Sequence, residues 1–375
     1  MINEERLINR FIELVKIDSE TKYEGEIASY LKAELTKLGL SVEEDKAAER
    51  TEHEANNLIC TLPESSSHSH SIFFSSHMDT VTPGKNINPI IKDGLIRSDG
   101  STILGADDKA GIAVIFELIH QLKEQNVDHG RIQFILTIGE ESGLVGAKVI
   151  DQSLITADFG YVLDSDGAVG NLIIAAPYQS KFTAIIHGKA AHAGVAPEKG
   201  VSAITTAAKS IAKMTLGRID DETTANISYF KGGKKESTNI VTDYVEIEGE
   251  ARSLKKEKLD KVMEQIKHHF NKTAESFGAT TQFNLFEAYP GFSISENDQV
   301  VQIAKQAAEK LSLPSETLTS GGGSDANVLN NIGYPTANLS VGYEYIHTTD
   351  EQIHIDDLIR LVNFTVEIVK EAFVR

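Results

Sequence analysis

Four short apolar runs in this chain break off at an acid or a histidine, and that repetition narrows the possible folds more than any other feature. Ser71–Ser76 leads into His77-Met78-Asp79, and Arg131–Ile138 leads into Gly139-Glu140-Glu141. Tyr161–Leu163 leads into Asp164-Ser165-Asp166-Gly167, and Thr336–Val341 is followed by Ile346-His347. Runs that are apolar at consecutive positions, and this short, fit strands covered on both faces. Sheets of such strands are parallel α/β sheets, whose ligands bind beyond the C-terminal strand ends. The four ends are therefore expected to converge on one crevice lined by carboxylates and imidazoles.

The stretch Leu104-Gly105-Ala106-Asp107-Asp108-Lys109-Ala110-Gly111-Ile112 puts two acids at the mouth of an apolar helix. Alone, the pair reads as acids favouring a helix N-terminus. Beside the four strand ends, Asp107 reads instead as a carboxylate bridging two metal ions. His77-Met78-Asp79 places two polar side chains on the same side of an extended chain. One can then ligate while the other orients it.

Bulk properties limit the alternatives. The 375 residues suffice for two domains. The 55 acids against 36 bases give a net charge of −19, which argues against a nucleic-acid partner, since a phosphate backbone needs a basic face. The single cysteine, Cys60, lies in an apparent strand interior and reads as packing. The charged start, Met1 to Arg6, has no apolar signal core. No run reaches the roughly 18 apolar residues of a membrane span. The expectation is a cytosolic protein with no membrane partner. His68 and His70, in a serine-rich turn, read as solvated, and His120 as an ordinary helix residue.

Helical spacing is expected near residues 4–16, with Leu7, Phe11, Leu14 and Val15 inward. A second helix, near 24–37, buries Ile27, Leu31, Leu35 and Leu38 and stops at Gly39. A further helix runs from about Lys109 to Gln125. Residues 82–103 are expected to contain turns at Pro83-Gly84, Asp93-Gly94 and Asp99-Gly100. Near residue 178 the pattern changes to β-α-β-β-α-β, the order of a ferredoxin-like unit. Its first helix, over about 201–216, is expected to bury Ile204, Ala208, Ile211 and Thr215. Its second, over about 258–277, is expected to bury Leu259, Val262, Ile266, Phe270 and Phe277. The expected organisation is a catalytic domain over 1–177 and 289–375, α/β with a mixed, mostly parallel sheet flanked by helices. Into it is inserted an α+β domain over 178–288. The glycine-rich turn Ser320–Asn327, leading into a further helix, reads as a flexible loop or as a backbone N–H cradle for a substrate carboxylate.

Taken together these motifs resemble the M20 family of zinc peptidases, and most closely its peptidase T branch. The resemblance is carried by Ser76–Thr80, Asp99–Gly111, Gly139–Glu141, Leu163-Asp164, Ala191–Gly194, Gly321–Asn327 and Ile346-His347, in the family's order along nearly the whole chain. It implies two Zn2+ per subunit, with Co2+ or Mn2+ as possible substitutes. His77 and Asp164 would hold one ion and Glu141 and His347 the other, with Asp107 bridging. Asp79 would orient His77. Glu140 would take a proton from a metal-bridging water and pass it to the leaving amine. The family further implies a cis peptide at Asp107–Asp108. The inserted domain would serve as lid and dimerisation domain of a homodimer, and His192, Asn239 and Arg252 would bind the peptide substrate, His192 reaching the partner's active site. Asp166 is a second candidate for the role of Asp164.

The sequence departs from peptidase T in two places: the connection from Asp79 to Asp107 is shorter, and no aspartate precedes Glu140-Glu141. Neither touches an expected ligand, but both bear on the substrate end of the cleft. The function expected is removal of the N-terminal residue from short peptides, tripeptides in particular. Two other readings are a related amidohydrolase acting on dipeptides or N-acyl amino acids, and an inactive peptide-binding scaffold.

Overall fold

The strands Ile72–His77 and Ile132–Thr137 are buried at every position, as covering on both faces requires. In the computed structural model, which describes residues 2–374, they sit at the centre of a nine-stranded mixed sheet. The chain separates into two units. One runs through Ala175 and resumes over Ser293–Ser320 and from Ser324 onward; the other is Ala176–Phe292 with Gly321–Gly323.

In the first unit, Ile132–Thr137, Ile72–His77, Phe159–Ser165 and Thr336–Ser340 lie side by side and parallel. The flanking pairings of Leu58–Leu62 with Ile132–Thr137, and of Thr336–Ser340 with Leu172–Ala176, are antiparallel. Register then does the positioning. His77 pairs with Thr137, Ser75 with Val162, and Ser340 with Ser165. The C-terminal ends of four strands therefore finish along one edge. The helix Ala106–Glu124 is buried along nearly its whole length, so its entry is fixed against the same edge. Lys109, fully buried, spends its ammonium on the Ile17 carbonyl at 2.6 Å. The peptide bonds Thr82–Pro83 and Asp107–Asp108 are both cis.

The amphipathic helices at the start of the chain form where spacing predicts them. Glu4–Val15 buries Leu7, Phe11, Leu14 and Val15. Gly25–Lys37 buries Ile27, Leu31 and Leu35, with Leu38 partly covered, and Gly39 follows with φ 83°. A left-handed glycine there closes the helix. The turn expected at Asp93-Gly94 joins a hairpin of Ile90–Lys92 with Leu95–Arg97. Both turn residues have positive φ, the conformation an Asp-Gly hairpin uses. Gln352–His354 adds to it, and Tyr343–Glu344 to that, making a small four-stranded sheet. Strands of two or three residues carry too short an alternation to be seen in sequence. His68 and His70 are not simply solvated either. Both rings lie against Phe373, at centroid distances of 5.0 and 5.1 Å.

The second unit has the strand order Gly217–Asp220, Thr223–Gly232, Tyr244–Ser253, Tyr178–His187, Thr280–Tyr289, all antiparallel. The last four form a ferredoxin-like sheet backed by the helices Ala203–Ile211 and Lys256–Phe277. The first helix turns a different face inward from the one its spacing indicates: Ala203, Thr206, Ala207 and Ser210 are buried, and Ile204 is 38% exposed. Ser202 caps it by accepting from the Thr205 amide, which sets its phase. The small residues then meet the neighbouring helix. Phe277 is likewise exposed and carries Lys209 over its ring. Its helix buries Leu259, Val262, Ile266 and Phe270, and Phe270 packs on Phe182 and Phe283.

Among the described residues no helix is long and apolar enough to cross a membrane. Cys60 is buried and unpaired, its thiol pushed well above the usual range by burial.

The helix phase gives a direct test. Phe270→Ala should destabilise the protein by about 3–5 kcal/mol in urea unfolding, the usual cost of such a cavity. Ile204→Ala should change it by less than about 0.5 kcal/mol. A larger loss for Ile204 than for Phe270 would contradict the observed face.

Candidate metal centre

Asp107 is held out of helical geometry, with ψ 102°, just after Gly105 in the left-handed region. Its side chain consequently projects from the helix mouth into the edge where the strands end. Its two carboxylate oxygens face different partners. Oδ1 lies 3.0 Å from His77 Nε2, and Oδ2 lies 3.3 Å from His347 Nε2. Around the first, Asp164 Oδ1 stands 3.9 Å from His77 Nε2. Around the second, Glu141 Oε1 stands 2.9 Å from His347 Nε2. The donors thus fall into two groups, His77–Asp107–Asp164 and Asp107–Glu141–His347, each with its ligand atoms within 4.8 Å of one another. Asp107 belongs to both. Asp166, the alternative to Asp164, is exposed and joins neither group.

The electrostatics describe a site short of positive charge. Burial by itself would raise the Asp107 carboxyl, but bonds to His347 and His77 outweigh it and hold the group low. Burial likewise disfavours charge on His77, yet Asp107 and Asp79 push its pKa well up. His347, between Asp107 and Glu141, is pushed up to about 10. Burial, then Asp107, drives Asp164 well above the carboxylate range. Burial raises Glu141, and burial with Asp164 raises Glu140. Protons are thus retained where cations fit, and the donors are those that zinc accepts, imidazole nitrogen and carboxylate oxygen. The residues present suit a pair of divalent ions.

Asp79 is fully buried. Its carboxylate accepts from the Glu140 amide at 2.9 Å and from Thr21 Oγ1 at 2.7 Å. His77 Nδ1 lies nearer the Asp79 backbone carbonyl, at 2.9 Å, than the Asp79 carboxylate, at 3.4 Å. Asp79 therefore meets the imidazole with its carbonyl and, less closely, with its carboxylate, and its carboxylate also holds the Gly139–Glu141 loop.

Several residues at the site carry no sequence signal. Asn338 clamps Asp164, accepting from its amide at 3.0 Å and donating to its carbonyl at 2.6 Å. Tyr343 donates its hydroxyl to Asp164 Oδ1 at 2.9 Å. Glu24 Oε1 accepts from the Gly139 amide at 3.1 Å and lies 2.7 Å from His53 Nδ1. A Cβ on Gly139 would stand 2.3 Å from the His53 ring, so only glycine fits there. These are contacts between distant segments, which no local pattern records.

His192, Asn239 and Arg252 all belong to the second unit. His192 and Asn239 are exposed, on the two-stranded ladder of Ala191–His192 with Ile240–Val241 and just before its second strand. The Asn239 carbonyl accepts from the Ala193 amide at 2.8 Å. Arg252 pairs with Glu250 at 2.9 Å and donates to the Gly321 carbonyl at 3.2 Å. Gly323 lies flat on Tyr289, where a Cβ would approach the ring to 2.5 Å. Close approach is therefore one reason for glycine in this turn.

Residues 73–371 match the profile of peptidase family M20/M25/M40. The aminopeptidase PepT of Bacillus cereus superimposes with TM-score 0.93 at 56% identity, over 99% of both chains. A tripeptidase of Staphylococcus aureus superimposes with TM-score 0.96 at 48% identity, over 99% of this chain and 98% of that one. The uncharacterized protein YqjE of Bacillus subtilis is 54% identical over 99% of this chain and 100% of its own. The chain belongs to peptidase family M20/M25/M40, and it is a hydrolase of that family.

Proposed function

We propose that the protein is a dinuclear metallo-aminopeptidase that removes the N-terminal residue from short peptides, tripeptides foremost. The observation that carries this reading is Asp107, with one oxygen toward His77 and the other toward His347. The names of the B. cereus aminopeptidase and the S. aureus tripeptidase support the substrate class.

In this reading His77 and Asp164 would hold one ion and Glu141 and His347 the other, with Asp107 a candidate ligand to each. Zinc is the metal proposed, with cobalt or manganese able to replace it. Such a pair, when bound, supplies Lewis acidity toward water and a substrate carbonyl. The protein's own groups do the rest. Glu140, on a loop held by Asp79 and Glu24 through consecutive amides, acts as general base. Its carboxylate takes a proton from the attacking water as oxygen bonds to the carbonyl carbon. It returns that proton to the nitrogen as the C–N bond breaks. Burial and neighbouring carboxylates favour its protonated form. Cations held by the neighbouring ligands would offset that bias, leaving Glu140 able both to accept and to release a proton. Asn338 and Tyr343 fix Asp164, and Asp79 fixes the His77 ring.

The second unit is assigned the roles of lid and homodimer contact, with His192, Asn239 and Arg252 as substrate-binding residues. A guanidinium suits a peptide carboxylate through paired hydrogen bonds. Exposed Leu285 and Phe286 on the edge strand Thr280–Tyr289 support a self-association surface. The acidic balance and lone buried Cys60 are in keeping with a cytosolic enzyme.

Three measurements test this reading. Elemental analysis should find two divalent ions per chain, and removing them with a chelator should abolish tripeptide hydrolysis; full activity in metal-free protein would contradict it. Glu140→Gln should keep both ions and lose about 10²–10⁴-fold in kcat, the usual worth of a positioned base; wild-type turnover in that variant rejects the base. A free-N-terminus tripeptide should be cleaved and its N-acetyl form refused; cleavage of the blocked peptide or of N-acyl amino acids alone would assign the protein to the amidohydrolase reading.

A further inference from the structure

Glu351 is fully buried and belongs to neither group of candidate ligands. It sits at the head of the short strand Gln352–His354, four residues after His347. Its carboxylate grips the loop that carries Asp107. Oε2 accepts from the amides of Leu104 and Gly105, both at 2.8 Å, and Oε1 accepts from the amide of Asp107 itself at 3.0 Å. Lys109, whose pKa burial lowers to about 7 with the Glu351 charge in partial opposition, gives its amine to the Ile17 carbonyl instead. The three amides precede and open the helix Ala106–Glu124, where no helical carbonyl can accept them. Buried amides of that kind must find another acceptor. A carboxylate offers two acceptor oxygens and no donor, which matches three inward-pointing N–H groups.

We infer that Glu351 is a positioning residue for the metal pair: it fixes the main chain of Leu104–Asp107 so that Asp107 presents one oxygen to each half of the site. It ligates nothing itself. This inference rests on the dinuclear reading above and assigns to it a residue on which the bridge depends. The stereochemistry separates Glu from its nearest substitutes. Glutamine has a single acceptor oxygen, and its amide group would aim N–H at N–H on one side of the clamp. Aspartate keeps both oxygens but is one carbon shorter, and cannot reach Leu104, Gly105 and Asp107 together.

The test is titration of metal-free protein with Zn2+ and with Co2+, wild type against Glu351→Gln and Glu351→Asp, each checked for folding by circular dichroism. Partners one shell beyond a metal typically alter its affinity by about 10–100-fold. That loss is expected for the glutamine variant, with a smaller one for aspartate. The Co2+ form should also lose the magnetic coupling that a carboxylate bridge transmits, a signature that lowered stability alone would not move. A folded glutamine variant with wild-type affinity for both ions and unchanged coupling would overturn the inference. If glutamine prevents folding, an aspartate variant identical to wild type in affinity and coupling overturns it equally. Wild-type protein that takes up no divalent ions would instead reject the dinuclear reading, and this inference with it.

Discussion

Buried negative charge is the constraint on which this structure depends. Asp79, Asp107, Asp108, Glu140, Asp325 and Glu351 are all buried in one unit. The positive groups that can answer them are few: two imidazoles at the centre, and a lysine committed to a backbone carbonyl. Ionised carboxylates that close to one another, and that dry, are costly unless a cation or a donated hydrogen bond compensates each. The chain answers several of them with backbone amides, which work against the upward push of burial on these carboxyls. Asp79 takes the Glu140 amide, Glu24 the Gly139 amide, and Glu351 three more. Asp107 instead faces two imidazoles, one at each carboxylate oxygen. Part of the net charge of −19 is thus concentrated where divalent ions would neutralise it.

The same division explains how parallel register becomes chemistry. Pairing His77 with Thr137 and Ser75 with Val162 aligns three strand ends to within a residue or two. The loops that follow then start at one level. A one-residue slip would turn His77 to the opposite face of its strand. The apolar runs that look merely structural therefore fix the relative heights of donors that come from four separate segments of the chain.

Much of this was legible in the sequence because strand ends are local features. His77, Asp107, Glu141, Asp164 and His347 each follow or open an apolar element, and those five stand together in the structure. What could not be read has a common cause. Glu351, Asn338, Tyr343 and Glu24 act across separations of more than a hundred residues, and nothing near them marks the partner. The helix Ala203–Ile211 misled for another reason: its phase is set by the Ser202 cap and by close packing of small residues, whereas apolar spacing favours the bulky ones. Asp79, expected beside His77 as its orienter, has its carboxylate 3.4 Å from that ring and 2.9 Å from the Glu140 amide, a second contact that the His-x-Asp spacing does not announce. The hairpin at Asp93-Gly94 had its turn visible and its strands too short to register.

Whether one carboxylate serves two ions can be seen by anomalous diffraction from crystals grown with zinc, collected above and below the absorption edge. Two peaks are expected, roughly 3.5–4 Å apart, one against each oxygen of Asp107, the first beside His77 and Asp164 and the second beside Glu141 and His347. A single peak in fully loaded protein, or two peaks that do not share Asp107, would rule out the bridge.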